Sequence, residues 1–162
     1  LFHKFTRCDE SNKMKLKQDL FIQCEKFVNT RLQTIQDIIS SNQNALESET
    51  KSSAGDKHET GRAMLQLEME KAGQQLQGVL QMKETLAKID IDKNSTIAHL
   101  GSLVKTNQAT YFLSISAGQL VVENEPYFAI SVSSPIGNLL LGKKEKEVVT
   151  FNGNQVLISC IN

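Results

Sequence analysis

The sequence predicts an α+β protein in two parts: an N-terminal antiparallel helical hairpin, a coiled-coil finger, followed by a small α+β domain. Three observations carry that expectation. Apolar residues recur at steps of three and four for about thirty positions on either side of Ser52-Ser53-Ala54-Gly55, with no proline in either run. From about residue 96 onward the spacing changes to short, partly alternating apolar runs separated by turn residues. Near the C-terminus Asn152-Gly153 stands between two such runs and supplies the positive φ angles of a two-residue hairpin turn.

Residues 1–13 lack helical periodicity and a signal-peptide apolar region, and a regular helix pattern starts at Met14. They read as an upstream extension or expression remnant, with Met14 as the native start. The first arm then places Leu20, Phe21, Cys24, Phe27, Val28, Leu32, Ile35, Ile38, Ile39, Ala45 and Leu46 on one seam. The second arm answers with Leu65, Met69, Ala72, Leu76, Val79, Met82, Leu86 and Ile89, mostly separated by Gln, Glu and Lys. At ~1.5 Å per residue each arm would extend some 45 to 50 Å. Such stripes would also suit a bundle or a dimeric coiled coil, but the Ser-Ser-Ala-Gly break between equal arms favours a chain folded back on itself. Gly73 and Gly78 each cost about 1 kcal/mol against alanine in a helix interior. The second helix is therefore expected to depend on packing against the first, with the small residues allowing close approach.

The hairpin accordingly spans residues 14–92, with its tip at 52–60, and the second domain spans 96–162. Ile91 to Thr96 is polar enough to serve as a hinge. Ile97–Lys105 and Ala109–Ser116 read as β-rich segments, followed by a turn at Ala117-Gly118 and a third run at Tyr127–Val132. Ser134-Pro135 has the form of an N-cap with proline at the first helical position, and Gly142 that of a stop after Leu139-Leu140-Leu141. Glu147–Phe151 and Asn154–Ile161 are the arms of the closing hairpin.

Composition excludes several classes of function. The chain has 162 residues, 40% hydrophobic and 22% charged, and no apolar run approaches the ~18 residues of a membrane span. Lys plus Arg equals Asp plus Glu at 18 each, so the basic excess of an autonomous nucleic-acid binder is missing and the expected partner is a protein. Cys8, Cys24 and Cys160 form no CxxC pair, which argues against a disulfide framework or zinc site and for a reducing, cytoplasmic setting. There is no GxSxG, no phosphate-binding glycine loop, and no cysteine placed with a histidine in a recognisable motif. No autonomous catalysis is expected.

Asp56 and Glu59, three residues apart at the start of the second arm, admit two readings. They form a capping box if Asp56 is the N-cap and Glu59 is N3. They are also two carboxylates at the tip of a rigid hairpin, able to hold Mg²⁺ if another macromolecule completes the coordination. Between Glu47 and Arg62 the acids Glu47, Glu49, Asp56 and Glu59 are nearly balanced by Lys51, Lys57 and Arg62, so the tip is only faintly acidic. His58 has no ligand-spaced partner and reads as a solvent-facing residue of the first turn.

The stretch Ile130-Ser131-Val132-Ser133-Ser134-Pro135-Ile136-Gly137-Asn138-Leu139-Leu140-Leu141-Gly142-Lys143-Lys144, followed by Glu147-Val148-Val149, resembles the C-terminal signature of the GreA/GreB transcription elongation factors. With the preceding strands and the final hairpin, the similarity runs from Met14 to the C-terminus, closely at the C-terminal stretch and mostly in pattern along the arms. It implies an FKBP-like second domain and RNA polymerase as partner, and the chain is expected to be a monomer. The domain would dock on the rim of the polymerase secondary channel through Ser134, Pro135 and Ile136 while the finger passes down the channel towards the nascent RNA. Gly55-Asp56-Lys57-His58-Glu59 falls on the family's Gly-Asp-x-x-Glu tip element, whose carboxylates help hold a second Mg²⁺, shared with the polymerase, as it cuts backtracked RNA. Where the family usually continues Asn-Ala-Glu-Tyr, this chain has Thr60-Gly61-Arg62-Ala63. That departure keeps a second reading open, a regulator or inhibitor that occupies the channel without cutting, or a coiled-coil adaptor of the same fold. Prolyl isomerisation is not expected, because the region holds no Trp and only Tyr111, Phe112, Tyr127, Phe128 and Phe151 to line a pocket.

Overall fold

A computed structural model describes residues 10–51 and 56–162; residues 1–9 of the expected extension and residues 52–55, where the sequence leads one to expect the turn, lie outside the described residues. The architecture is α+β: two long helices form an N-terminal hairpin, and a six-stranded sheet with one short helix follows. The helices are α1 (Glu10–Lys51) and α2 (Asp56–Ala87), and among the described residues none is long and apolar enough to cross a membrane.

Helix α1 is already formed at Glu10, ahead of the Met14 start expected from periodicity. Ser11, Asn12 and Lys13 carry no apolar signal, but a helix nucleated further along propagates through polar residues at one hydrogen bond each. Helix α2 ends at Ala87, short of Ile89 and the expected hinge.

Two compact units divide the chain: residues 26–84, and residues 1–25 together with 85–162. In the first, α1 and α2 run antiparallel. Asn42 Nδ2 donates to Glu68 Oε2 at 3.3 Å, and Glu49 lies against Gly61, so seven residues forward on α1 are matched by seven back on α2. Val28, Ile35, Ala72 and Val79 are buried along this seam. Ile38, assigned to the seam by its spacing, is instead 40% exposed, while polar Asn42 is buried one turn further on. Gly73 and Gly78 do not mark a close approach, since a Cβ at either would meet nothing within 4 Å.

The second unit is built on strands β1 (Leu103–Thr106), β2 (Thr110–Ser114), β3 (Gly118–Val122), β4 (Glu125–Ser131), β5 (Val148–Phe151) and β6 (Asn154–Ile161), with helix α3 (Pro135–Leu140) between β4 and β5. The sheet order is β3-β4-β2-β1-β6-β5, antiparallel except for the β2/β4 pair. Side chains alternate across a strand, so β2 sends Phe112 and Ser114 to one face and Leu113 to the other, and all three are fully buried. The first face meets the start of α1: Cys24 Sγ lies 3.7 Å from Ser114 Oγ, and Gln23 Nε2 donates to the Val121 carbonyl at 2.9 Å. The second packs a core of Val104, Leu113, Leu140, Val149, Val156 and Ile158.

Several strand boundaries differ from the sequence expectation. Of Ile97–Lys105 only Leu103 onward is strand, and Ile97 makes one isolated bridge to Lys144. The intervening residues turn, closed by Ser102 Oγ, which accepts from the His99 N–H at 3.0 Å. The expected turn at Ala117-Gly118 leads straight into β3, a strand the apolar spacing did not indicate, which Gly118 opens at φ 79° and which turns into β4 through Glu123 and Asn124 at φ 51° and 64°. The C-terminal hairpin forms as its dipeptide demands, with Asn152 at φ 50° and Gly153 at φ 79°.

Candidate functional site: the hairpin tip and the α3 loop

Asp56 is the first residue of α2 and Glu59 follows within the first turn. The capping-box reading depends on Gly55 and the Asp56 side chain, which lie outside the described residues, as do the Lys57 and His58 side chains. Glu59 is exposed, so its carboxylate is open to a ligand approaching the end of the helix pair.

Another carboxylate faces Gly61, two residues after Glu59. Glu49 near the end of α1 is half buried, and a Cβ on Gly61 of α2 would come within 3.0 Å of its Oε1. Its Oε2 is buried with no hydrogen-bond partner among the described residues. Glu49 therefore fills the gap that Gly61 leaves, an arrangement set by the register between the helices.

Carboxylate oxygens are hard ligands suited to Mg²⁺, which favours six-fold oxygen coordination and keeps several waters. Among the described residues no group of three or more His, Cys, Asp or Glu could hold a metal. Of the two expected Mg²⁺ ligands, Glu59 is exposed and the Asp56 side chain lies outside the described residues.

At the other candidate surface, Ser134 caps α3. Its Oγ accepts from Gly137 N at 3.1 Å and donates to the Ser131 carbonyl at 2.6 Å, and Pro135 occupies the first helical position. Leu141 ends the helix and Gly142 follows at φ 78°, as the sequence expects of a stop. Pro135 is exposed and Ser134 half buried, whereas Ile136 lies in the core. Of the three residues drawn from the resemblance, Pro135 offers the most surface to a partner.

One constellation is invisible in the sequence. His99 Nδ1 lies 2.8 Å from Ser102 Oγ and 3.1 Å from the Ile97 carbonyl, a geometry that superficially suggests an activated serine. Ser102 is fully buried and its hydroxyl already accepts from the His99 N–H, so the pair closes the turn before β1 and no substrate can reach it.

No protein-family model matches the chain, and no curated protein matches it. Two solved chains do. One is the transcription factor Gfh1, at 16% sequence identity over 85% of this chain and 92% of that one, with a TM-score of 0.33. Superposition that loose does not establish a shared arrangement, so the functional reading rests on the residues themselves.

Proposed function

We propose that this chain is an RNA polymerase-binding transcription elongation factor whose helical hairpin enters the secondary channel and stimulates Mg²⁺-dependent cleavage of backtracked RNA by the polymerase. The observation that carries this reading is the Asp56/Glu59 pair in the first turn of α2, at the closed end of an antiparallel helix pair, with Glu59 exposed. The signature around Ser134-Pro135 supports it independently. A second Mg²⁺ supplies stabilisation of attacking and leaving oxygens at the phosphodiester. Asp56 and Glu59 would contribute oxygen ligands and orient water, and the polymerase would provide the other ligands and the first metal. The chain alone is not an enzyme in this reading, and the site exists only in the complex.

A second reading is favoured by the stretch after the pair. Thr60-Gly61-Arg62-Ala63 replaces the family's amide, acid and aromatic, and Lys57 and Arg62 offset the two carboxylates. Gly61 is occupied by Glu49 from across the pair. A factor that fills the channel and inhibits without cutting would suit this tip.

The experiment is RNA cleavage on stalled, backtracked elongation complexes with the cognate polymerase. The first reading expects Mg²⁺-dependent shortening of the transcript that Asp56→Ala with Glu59→Ala removes while binding persists. Binding without shortening selects the inhibitor, and absence of binding discards both.

A further inference from the structure

Away from the tip, within the sheet-containing unit, a cavity of about 260 Å³ is lined by Lys13, Lys17, Asn94, Ser95, Thr96 and Asn162. Its volume lies below the range of drug-sized pockets but equals that of several waters, so it admits a compact ligand.

Lys17 is the unusual member. It is 2% exposed and takes a position on the inward side of α1 one turn before Leu20, where an apolar residue would pack. Among the described residues its ammonium makes one hydrogen bond, a long one of 3.3 Å to the Lys93 carbonyl. An ammonium has three donors, and burying it without acceptors is costly. Asp90 and Asp92 lie near enough to favour its charged form, but no ion pair joins either of them to Lys17, and both are exposed. They moderate the charge without satisfying the donors.

We propose that this cavity is a binding site for a small phosphate-bearing anion, held by Lys17 and Lys13 with side-chain donors from Asn94, Thr96 and Asn162. Lysines act on phosphate as point charges, and donors dispersed around a cavity can meet the several oxygens of a tetrahedral group. The acids set the limit on charge. Asp90, Asp92 and Glu145, which accepts from the Ile161 N–H on the cavity wall, offset the two lysines, so binding depends on directed donor contacts and a polyphosphate is disfavoured. Ile91 and Ile161 complete the wall, leaving room for a small apolar part of the ligand.

The test uses the full chain and inorganic phosphate as probe, followed by amide chemical shifts in a ¹H–¹⁵N titration against potassium chloride at matched ionic strength and pH. Saturable shifts at Lys17, Asn94–Thr96 and Asn162 are expected with phosphate and not with chloride. Lys17→Met should weaken binding at least tenfold while preserving the dispersion of the spectrum. Lys13→Met, at a half-buried position, gives the same direction of effect should Lys17→Met disturb the fold. Shifts that follow ionic strength equally for both salts, or that persist unchanged in a folded Lys17→Met, overturn the proposal and leave water as the occupant.

Discussion

A lysine on the inward side of a helix bears a cost that depends on pH. Burial lowers the Lys17 pKa from its ordinary 10.5, with Asp90 and Asp92 pulling the other way. Because the native value lies below the unfolded one, the unfolded chain binds more protons between the two, and stability rises with pH across that interval. The desolvation cost is fully present below the native pKa and is relieved as pH climbs towards 10.5. Replacing a buried charge by a packed apolar side chain is often neutral or stabilising. Lys17→Met in phosphate-free buffer is therefore expected to be more stable than the wild type at pH 7, by on the order of 1 kcal/mol. The gap should close as pH approaches 10.5, as read from urea midpoints. A variant that is less stable, by the same margin at every pH, would show that the ammonium is better satisfied than its contacts imply. Gly137 presents the opposite constraint. A Cβ there would run into the Ser131 carbonyl oxygen, which already accepts from the backbone N and Oγ of Ser134. Gly137→Ala should cost about 1 to 3 kcal/mol as an overpacked site, seen as a lower denaturation midpoint. An unchanged midpoint would mean that α3 can shift away from β4 without loss.

At the scale of elements, Gly73 and Gly78 contribute no contact that alanine would spoil, so helix propensity alone decides. Gly73→Ala and Gly78→Ala should each stabilise by about 0.5 to 1 kcal/mol, additively because they are more than a turn apart, and should raise the melting temperature. Loss of stability in either variant would reveal a close neighbour at that position. What could be read from the sequence divides along the same lines. Local chemistry was legible: the stop and start of α3, the Asn152-Gly153 turn, and the two helical stripes each depend on residues near one another in the chain. The Glu123-Asn124 turn was not, because glutamate at positive φ is tolerated only where the β3/β4 pairing imposes it. Ile38 departed from its expected burial, and Asn42 is buried, for a similar reason, since the register of α1 against α2 decides which side of each helix is covered. At the candidate site, Asp56 and Glu59 were visible as a spaced pair. Glu49 facing Gly61 and Lys17 inside its cavity were hidden, because each depends on a contact distant in sequence.

For the whole molecule the governing quantity is charge. With 18 basic and 18 acidic side chains, the free chain has no net field to attract a phosphate backbone, and binding to nucleic acid by counterion release needs several uncompensated lysines or arginines on one surface. Basic residues here alternate with acids, as in Lys143-Lys144-Glu145-Lys146-Glu147, and the glutamates also serve the fold: Glu147 accepts from Lys144 N and Glu145 from Ile161 N. A factor that meets RNA only inside a polymerase needs no affinity for RNA of its own, whereas an autonomous binder does. The expected outcome is therefore an absence of saturable binding to a labelled single-stranded RNA at 50 mM salt, followed by fluorescence anisotropy up to about 100 μM protein, the tight end of ordinary non-specific binding being reached well before that. Binding that appears at low salt and falls steeply between 50 and 200 mM would identify a basic surface that the overall balance conceals. It would also shift the proposed function from a polymerase-directed factor towards one that engages the transcript directly.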